Sequence, residues 1–240
     1  GLGGYSDAET RRSDSIVSKL FVTCIAFSEG EETILLYTVD NCAAGEDVLE
    51  MVQSMVSPAV NVPKENIYVG ATHTHSAPSL TVGGSDVEGT KYKELFYGAC
   101  LEAAQAALAD RSTIEVYSAK HEIPGMNFVR HYIMNDGTYY GSNFGSTASG
   151  FKAHAAETDP QMVVVKLDRL DESKKDICLI NWQAHPDWAS KIGYNSISSS
   201  YVGFVRDEFE MQTGMHCAYF TGASGNQNPE SLIPSEKHFL

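Results

Sequence analysis

Apolar and polar residues alternate along this chain with the two spacings that predict strands and helices. Residues 15–27 and 33–39 alternate with the period of a strand, and the turn at 29–31 joins them as a hairpin. Apolar residues between 45 and 56 follow helical spacing, and residues 66–71 predict a further strand. A strand, a helix and a strand in this order indicate an α/β fold with a crossover connection.

The rest of the chain continues this pattern with one long interruption. It predicts helices at 90–109 and 201–213, a hairpin of strands at 162–167 and 177–183, and single strands at 113–119 and 215–220. Regular spacing is almost lost from 122 to 159, where many aromatic residues favour an ordered, site-forming loop over disorder. We therefore expect a single α/β domain over residues 1–240, with a mixed β-sheet core, flanking helices and this long loop.

The net charge, the length of the apolar runs and the cysteine spacing limit the kinds of partner and location that we expect. The formal net charge of −14 would repel phosphate backbones and anionic lipid heads, so we expect no nucleic-acid partner. No apolar run reaches the roughly 20 residues of a transmembrane helix. The five cysteines are scattered and form no Cys-x-x-Cys. They favour reduced thiols and a cytoplasmic location, or secretion if a signal peptide has been removed.

Histidines follow two of the predicted strands. His73 and His75 come after the strand at 66–71, and strand alternation would project both to the same side, roughly 7 Å apart. His185 follows the strand at 177–183, and the polar turn at 225–229 follows the last strand. A bare His-x-His is more often a pair of core or surface histidines. If these strands share one sheet and one polarity, however, the histidines converge at one edge as a candidate zinc site.

Other polar residues at element ends have a simpler interpretation. Asp40 ends the strand at 33–39, and we expect it to cap a helix or turn. The serines at 198–200 are predicted to cap the helix that follows them. The Gly- and Asp-containing loop at 79–89 could lie over the mouth of a site.

The motifs around these histidines resemble those of the neutral/alkaline, non-lysosomal ceramidases. Gly-Ala-Thr-His-Thr-His-Ser-Ala-Pro at 70–78 is similar to their His-Thr-His-Ser-Gly-Pro signature, and Asn-Trp-Gln-Ala-His-Pro at 181–186 to their Asn-Trp-Phe-Ala-x-His-Pro segment. Asn-Phe-Val-Arg at 127–130 resembles their Asn-Arg segment. Gly-Asn-Gln-Asn-Pro at 225–229 falls where the family has Gly-Asp-Val-Ser-Pro-Asn. The motifs keep the family's order across nearly the whole chain.

The resemblance implies a zinc-dependent amidase that cleaves the N-acyl bond of ceramide to give sphingosine and a fatty acid. The substrate would then be a small-molecule or lipid-like amide. By the same resemblance, His73 and His185 would bind zinc, and His75 would line the site near the oxyanion or the water. Arg130 would orient a polar group or an anionic product. A glutamate and a tyrosine complete the family's zinc shell further along a longer chain, so we expect residues 1–240 to be the N-terminal part of such a catalytic domain.

The chain departs from the family pattern at its last motif. The family's serine falls on Asn228 and its aspartate on Asn226. An amide is no nucleophile, so we expect a metal-activated water to attack, with Asn228 as a catalytic hydrogen-bond donor to the oxyanion. Gly225 and Asn226 would bind substrate. Two alternatives remain: hydrolysis of a different small amide or ester, and a non-catalytic homologue that binds a metal or ligand.

Overall fold

The computed structural model describes residues 1–80, 87–141, 149–188 and 192–230. Its helices are α1 (Glu46–Val60), α2 (Val87–Ala109) and α3 (Ser200–Thr213). Its strands are β1 (Ser15–Ile16), β2 (Val22–Glu29), β3 (Glu32–Val39), β4 (Ile67–Ala71), β5 (Ile114–Glu122), β6 (Asn127–Val129), β7 (His131–Met134), β8 (Tyr139–Gly141), β9 (Phe151–His154), β10 (Gln161–Arg169), β11 (Ile177–Trp182), β12 (Ser196–Ile197), β13 (His216–Thr221) and β14 (Gln227–Pro229). The predicted mixed α/β class is confirmed.

The first main sheet has the strand order β2-β3-β4 and is covered by two helices. β2 and β3 form the predicted antiparallel hairpin, whereas β3 and β4 run parallel because α1 crosses between them. Every second residue of β3 points to the helices, where Leu35, Tyr37 and Val39 are fully buried among apolar residues of α1 and α2. The Tyr37 hydroxyl donates to the Cys100 carbonyl at 2.9 Å, which joins the sheet to α2.

The second main sheet has the order β13-β11-β10-β5 and is covered by α3. The predicted hairpin of β10 and β11 is confirmed, and β11 runs parallel to β13. Ile180, Trp182 and Tyr219 pack towards Tyr201 and Val202 of α3. On the opposite face, a smaller apolar cluster joins β2, β10 and β13. The two sheets therefore face each other, with helices on both outer sides.

The strands that precede the histidines do not share one sheet, which was the condition under which the sequence placed the histidines at one edge. β4 lies in the first sheet, and β11 and β13 lie in the second. Two side-chain hydrogen bonds join the sheets. The Thr38 hydroxyl donates to the Tyr219 carbonyl, and the Thr221 hydroxyl donates to the Thr72 carbonyl, both at 2.6 Å. The carboxyl ends of β4 and β11 consequently meet across the two sheets rather than along one edge.

Several boundaries differ from the prediction for local reasons. α1 continues through Pro58 to Val60, although Pro58 has no amide hydrogen to donate to the carbonyl four residues earlier, and Asn61 ends the helix in the left-handed region. The segment 122–159 contains β6 to β9, which are too short to give a periodic signal. Most of the predicted loop at 79–89 lies outside the described residues, and α2 begins at Val87.

Asp40 is not the helix or turn cap that the sequence predicted. Its side chain is fully buried and pairs with Arg206 of α3, with distances of 3.1 and 2.7 Å from the two guanidinium nitrogens to the carboxylate oxygens. The Phe21 amide and the Thr72 hydroxyl also donate to this carboxylate, at 2.9 and 3.2 Å. Asp40 therefore joins α3 to the end of the first sheet, directly beneath the histidine-bearing turn.

Candidate metal centre

His73 is brought into the site by a turn rather than by a strand. β4 ends at Ala71, and His73 adopts a left-handed backbone conformation with φ +68°. The His73 amide donates to the Asn41 carbonyl at 2.9 Å, which fixes this turn against the end of β3. Strand alternation was therefore the wrong reason to pair His73 with His75. The turn nevertheless places their Nε2 atoms 3.3 Å apart.

His185 approaches the same point from the second sheet. It follows β11, and its amide donates to the Gln227 carbonyl at 2.7 Å. Its Nε2 atom lies 3.0 Å from Nε2 of His75. The ring centroids of His73, His75 and His185 are 4.5 to 4.9 Å apart, with the rings close to perpendicular. The structure thus brings together the three histidines that the sequence singled out, and we call them the histidine cluster.

The distances within the histidine cluster suit a zinc ion. Imidazole nitrogens that bind zinc tetrahedrally at about 2.0–2.1 Å lie about 3.3–3.4 Å from one another. The Nε2 of His75 lies 3.3 and 3.0 Å from those of His73 and His185. The residues present therefore fit the group in number and atom type, and the two Nε2–Nε2 distances from His75 fit its spacing.

The opposite ring nitrogens of the cluster face oxygen atoms. Nδ1 of His73 is 2.5 Å from the Cys42 carbonyl, and Nδ1 of His185 is 3.2 Å from the Ser224 carbonyl. Histidines that bind metals usually donate their second nitrogen to such an oxygen, because this directs the lone pair of the first nitrogen towards the metal. Both contacts support the Nε2 atoms as the nitrogens available to a metal.

Burial keeps two of the imidazoles neutral. It lowers the pKa of His75 to about 3, helped by the neighbouring His185 and His73. Burial also lowers the pKa of His185 to about 4, with the Arg130 charge as the next cause. A metal needs the neutral imidazole, so at neutral pH these two ligand atoms are free of competing protons.

Cys42 is a candidate ligand that the sequence did not reveal. Ligand atoms of Cys42, His73 and His75 lie within 4.8 Å of one another. Its Sγ atom, however, is 3.9 Å from Nδ1 of His73, the nitrogen that faces the Cys42 carbonyl. Burial raises the pKa of this thiol, which disfavours the thiolate that binds metals. We therefore prefer the histidine cluster, whose Nε2 atoms converge.

The polar turn at 225–229 lies beside His185, whose amide donates to the Gln227 carbonyl. Arg130 donates from Nε and Nη2 to the Gly225 carbonyl at 3.1 and 2.7 Å, and its amide donates to the Asn226 carbonyl at 2.9 Å. Arg130, Gly225 and Asn226 are thus in direct contact. Asn228 is buried in β14, and among the described residues its Oδ1 atom has no hydrogen-bond partner.

The N-terminal segment forms a wall of the site that sequence reasoning missed. The Tyr5 ring packs edge-on against His75, with centroids 5.0 Å apart, and its hydroxyl donates to Asp187. Arg11 is buried and donates to the His75 carbonyl. No local motif signals these contacts, because Tyr5 and Asp187 are 182 positions apart.

Replacing Gly4 by alanine should disturb His75 directly. Gly4 has φ +103°, and an added Cβ would lie 2.4 Å from the His75 ring and 2.8 Å from its Cα. We expect the free energy of unfolding to fall by about 1–3 kcal/mol, because alanine is strained at a positive φ. We also expect weaker zinc binding, because the His75 ring is displaced. Chemical unfolding and zinc titration measure the two effects. Gly137→Ala is the control, because Gly137 has φ +83° with nothing within 4 Å. Equal zinc affinity in both variants would contradict this prediction.

The metal-free protein should lose stability in mild acid. His75 and His185 have folded-state pKa values of about 3 and 4, below the unfolded value of about 6.5. The unfolded chain therefore binds protons that the folded chain does not. The free energy of unfolding should fall as pH drops below 6.5, by up to about 1.4 kcal/mol per pH unit for each histidine. Urea unfolding between pH 7.5 and 5 measures this pH dependence. The free energy of unfolding should change less with pH in the His75→Gln/His185→Gln double variant.

Comparisons with known proteins show the fold of this chain. No family model and no curated protein sequence matches it. Neutral ceramidase from Pseudomonas aeruginosa is similar in structure, with a TM-score of 0.77 and 18% identity over 100% of this chain and 38% of that chain. A ceramidase solved in complex with C2 gives a TM-score of 0.74 and 17% identity over 95% and 36%. The chain thus has a ceramidase-like fold and spans little more than a third of these neighbours. No helix in the described part of the chain is long and apolar enough to cross a membrane.

Proposed function

We propose that this chain carries the metal centre of a zinc-dependent hydrolase that cleaves an N-acyl amide bond. The proposal rests on one observation: the Nε2 atom of His75 lies close to those of His73 and His185, where the carboxyl ends of β4 and β11 meet. The ceramidase-like fold supports the same reaction class. A bound zinc would polarise the substrate carbonyl and lower the pKa of a water molecule.

The three histidines of the cluster are proposed to hold this zinc. Three protein ligands are the usual number at a catalytic zinc, which leaves one position for water or substrate. His75 is therefore proposed as a ligand, although the resemblance to ceramidases implied only that it lines the site. Its Nε2 atom is the one that lies within hydrogen-bond distance of both other histidines, and this supports the change of role.

Groups beside the cluster are proposed to handle the substrate. Arg130 is half-buried and is attached to the turn at Gly225, so its charge has a fixed position beside His185. We assign it to the acyl carbonyl or to the carboxylate product. The buried amide of Asn228 is assigned to the developing oxyanion, to which its NH₂ group can donate. Gly225 and Asn226, which are exposed in the same turn, would contact the substrate.

The proposed substrate is a lipid-like or small N-acyl amide, and ceramide is the first candidate because both structural neighbours are ceramidases. The cytoplasm remains our proposed location, which the five free cysteines support. Cleavage of a different small amide or of an ester is the second candidate, since Asn228 occupies the place of the family's serine and alters the site.

Metal analysis of the purified full-length protein tests this proposal. We expect one zinc per chain by mass spectrometry and hydrolysis of at least one member of a panel of ceramides, short N-acyl amides and esters. A chelator should abolish the hydrolysis, and added zinc should restore it. A protein that binds no zinc after supplementation would contradict the proposal. Zinc at one per chain without hydrolysis of any substrate would favour a metal-binding protein that is not an enzyme.

Replacing Asn228 by alanine should separate catalysis from metal binding. Loss of an oxyanion donor lowers kcat by about 10²–10³-fold, whereas no ligand of the proposed zinc is removed. Steady-state kinetics and zinc content measure the two effects. Asn66→Ala is the matched control, because the Asn66 side chain donates to the Thr33 carbonyl far from the cluster. An unchanged kcat, or an acyl group trapped on another residue of the chain, would contradict the role of Asn228.

A further inference from the structure

The N-terminal segment is attached to the loop that carries His75. The Gly3 amide donates to the Ala77 carbonyl, and the Ser79 amide donates to the Gly1 carbonyl, both at 2.9 Å. Leu2 and Pro78 form an antiparallel bridge. These contacts align the first residues of the chain beside the site and bring the Tyr5 ring against the imidazole of His75.

His75 differs from the other two members of the cluster in the oxygen that its second nitrogen faces. Nδ1 of His73 and Nδ1 of His185 face backbone carbonyls, whereas Nδ1 of His75 faces the Asp187 carboxylate, with 3.7 Å between Nδ1 and Oδ1. Among the described residues, this buried nitrogen has no hydrogen-bond partner at bonding distance. If this nitrogen carries the ring proton, it is a buried donor without an acceptor, which is costly, and a small rotation of the Asp187 carboxylate towards it would satisfy it.

Asp187 is also held by Tyr5. The Tyr5 hydroxyl donates to Oδ1, the same oxygen that lies nearest to Nδ1 of His75. A phenol hydroxyl is protonated at neutral pH, so Tyr5 remains a donor to this carboxylate. The side chains of Asp187 and His75 are 4% and 9% exposed, so little water competes for this carboxylate.

We propose that Asp187 is a positioning residue that accepts the Nδ1–H of His75, and that Tyr5 holds Asp187 in place. The arrangement fixes His75 in the tautomer whose Nε2 lone pair points into the cluster. The metal-binding part of this inference rests on the proposed function, whereas the tautomer of His75 is a property of the metal-free chain. Asp187 and Tyr5, which are remote from His75 in the sequence, would thus determine which ring nitrogen of His75 is available to a metal.

The chain contains a matched pair of tyrosines for the test. The rings of Tyr5 and Tyr194 lie 4.7 and 4.8 Å from the guanidinium of Arg11. Each hydroxyl donates to an aspartate, Tyr5 to Asp187 and Tyr194 to Asp7 at 3.0 Å. Of these two aspartates, Asp187 is the one that faces His75. Phenylalanine at either position removes one hydroxyl and keeps the packing on Arg11.

The first measurement is zinc affinity of the full-length protein, by competition with a chromogenic chelator. Loss of the oxygen acceptor behind a metal-bound histidine costs about 10–100-fold in metal affinity, and we expect this loss in Asp187→Ala. Asp187→Asn keeps one oxygen and should lose less. Tyr5→Phe should weaken zinc binding several-fold, whereas Tyr194→Phe and Asp7→Asn should stay within twofold of the wild type. Unchanged affinity in a folded Asp187→Ala variant, or equal losses in the two phenylalanine variants, would overturn the proposal.

The second measurement does not need zinc. Long-range ¹H–¹⁵N correlation of the metal-free protein, with ¹⁵N-labelled histidine at pH 7.5, reports which ring nitrogen carries the proton. We expect His75 as the Nδ1–H tautomer in the wild type and in Tyr194→Phe, and a mixture of tautomers in Tyr5→Phe. An Nε2–H tautomer in the wild type would overturn the inference even if zinc binds. If the wild type binds no zinc, the proposed function fails and this measurement still decides the role of Asp187.

Discussion

Replacing Arg206 by methionine should lower the free energy of unfolding by about 3–5 kcal/mol. The Arg206 guanidinium and the Asp40 carboxylate are 5% and 0% exposed and form two hydrogen bonds. Removing one partner of such a pair leaves an uncompensated buried charge, which costs far more than the intact pair contributes. The Phe21 amide and the Thr72 hydroxyl still donate to Asp40 in this variant, but neither carries a charge. Urea unfolding at pH 7.5 measures the loss.

The control for Arg206 is an ion pair whose carboxylate is in contact with water. Arg169 bonds Asp110 at 2.6 Å; the Arg169 side chain is 7% exposed, but the Asp110 side chain is 48% exposed, and Lys174 lies 3.4 Å from its second oxygen. Arg169→Met should therefore cost only about 0–1 kcal/mol. Adding Asp40→Asn to Arg206→Met should recover part of the stability, because the buried charge is then gone. A loss below 1 kcal/mol in Arg206→Met, or no recovery in the double variant, would contradict this prediction.

The sequence was informative wherever one local pattern determines one element. The hairpin of β2 and β3 alternates apolar residues with period two, and α1 has the period of a helix, so both could be predicted. The strands between 122 and 159 could not be predicted from the sequence. β6 and β8 have three residues each, which is too few to establish a period, and β6 depends on its pairing with β14, about a hundred positions away.

The candidate site could be predicted in its histidines but not in its geometry. His73, His75 and His185 stand at predicted strand ends, and the structure brings their rings together. Which sheet each strand joins is decided by long-range packing, so the meeting of two sheets at the site was not visible in the sequence. Tyr5 and Asp187 were missed for the same reason, since each acts on His75 only through the tertiary fold.

Replacing His185 by alanine should abolish hydrolysis and weaken zinc binding by about a hundredfold to a thousandfold. Zinc held by four ligands in small domains contributes about 10–16 kcal/mol, which is about 2.5–4 kcal/mol for each ligand. A loss of that size corresponds to two to three factors of ten in affinity. The proposed site would keep His73 and His75, so weak binding should remain while the geometry for catalysis is lost. Chelator competition and the rate on the best substrate measure both effects.

The control for His185 is a histidine with the same kind of Nδ1 contact outside the cluster. Nδ1 of His154 lies 2.6 Å from the Val129 carbonyl, and its ring packs on Phe128 and Tyr132. His154→Ala should bind zinc like the wild type, because it removes an imidazole without removing a proposed ligand. A His185→Gln variant keeps a buried polar group if the alanine variant unfolds. Full zinc affinity in a folded His185 variant would exclude the histidine cluster as the metal centre and would make Cys42, His73 and His75 the remaining candidate set.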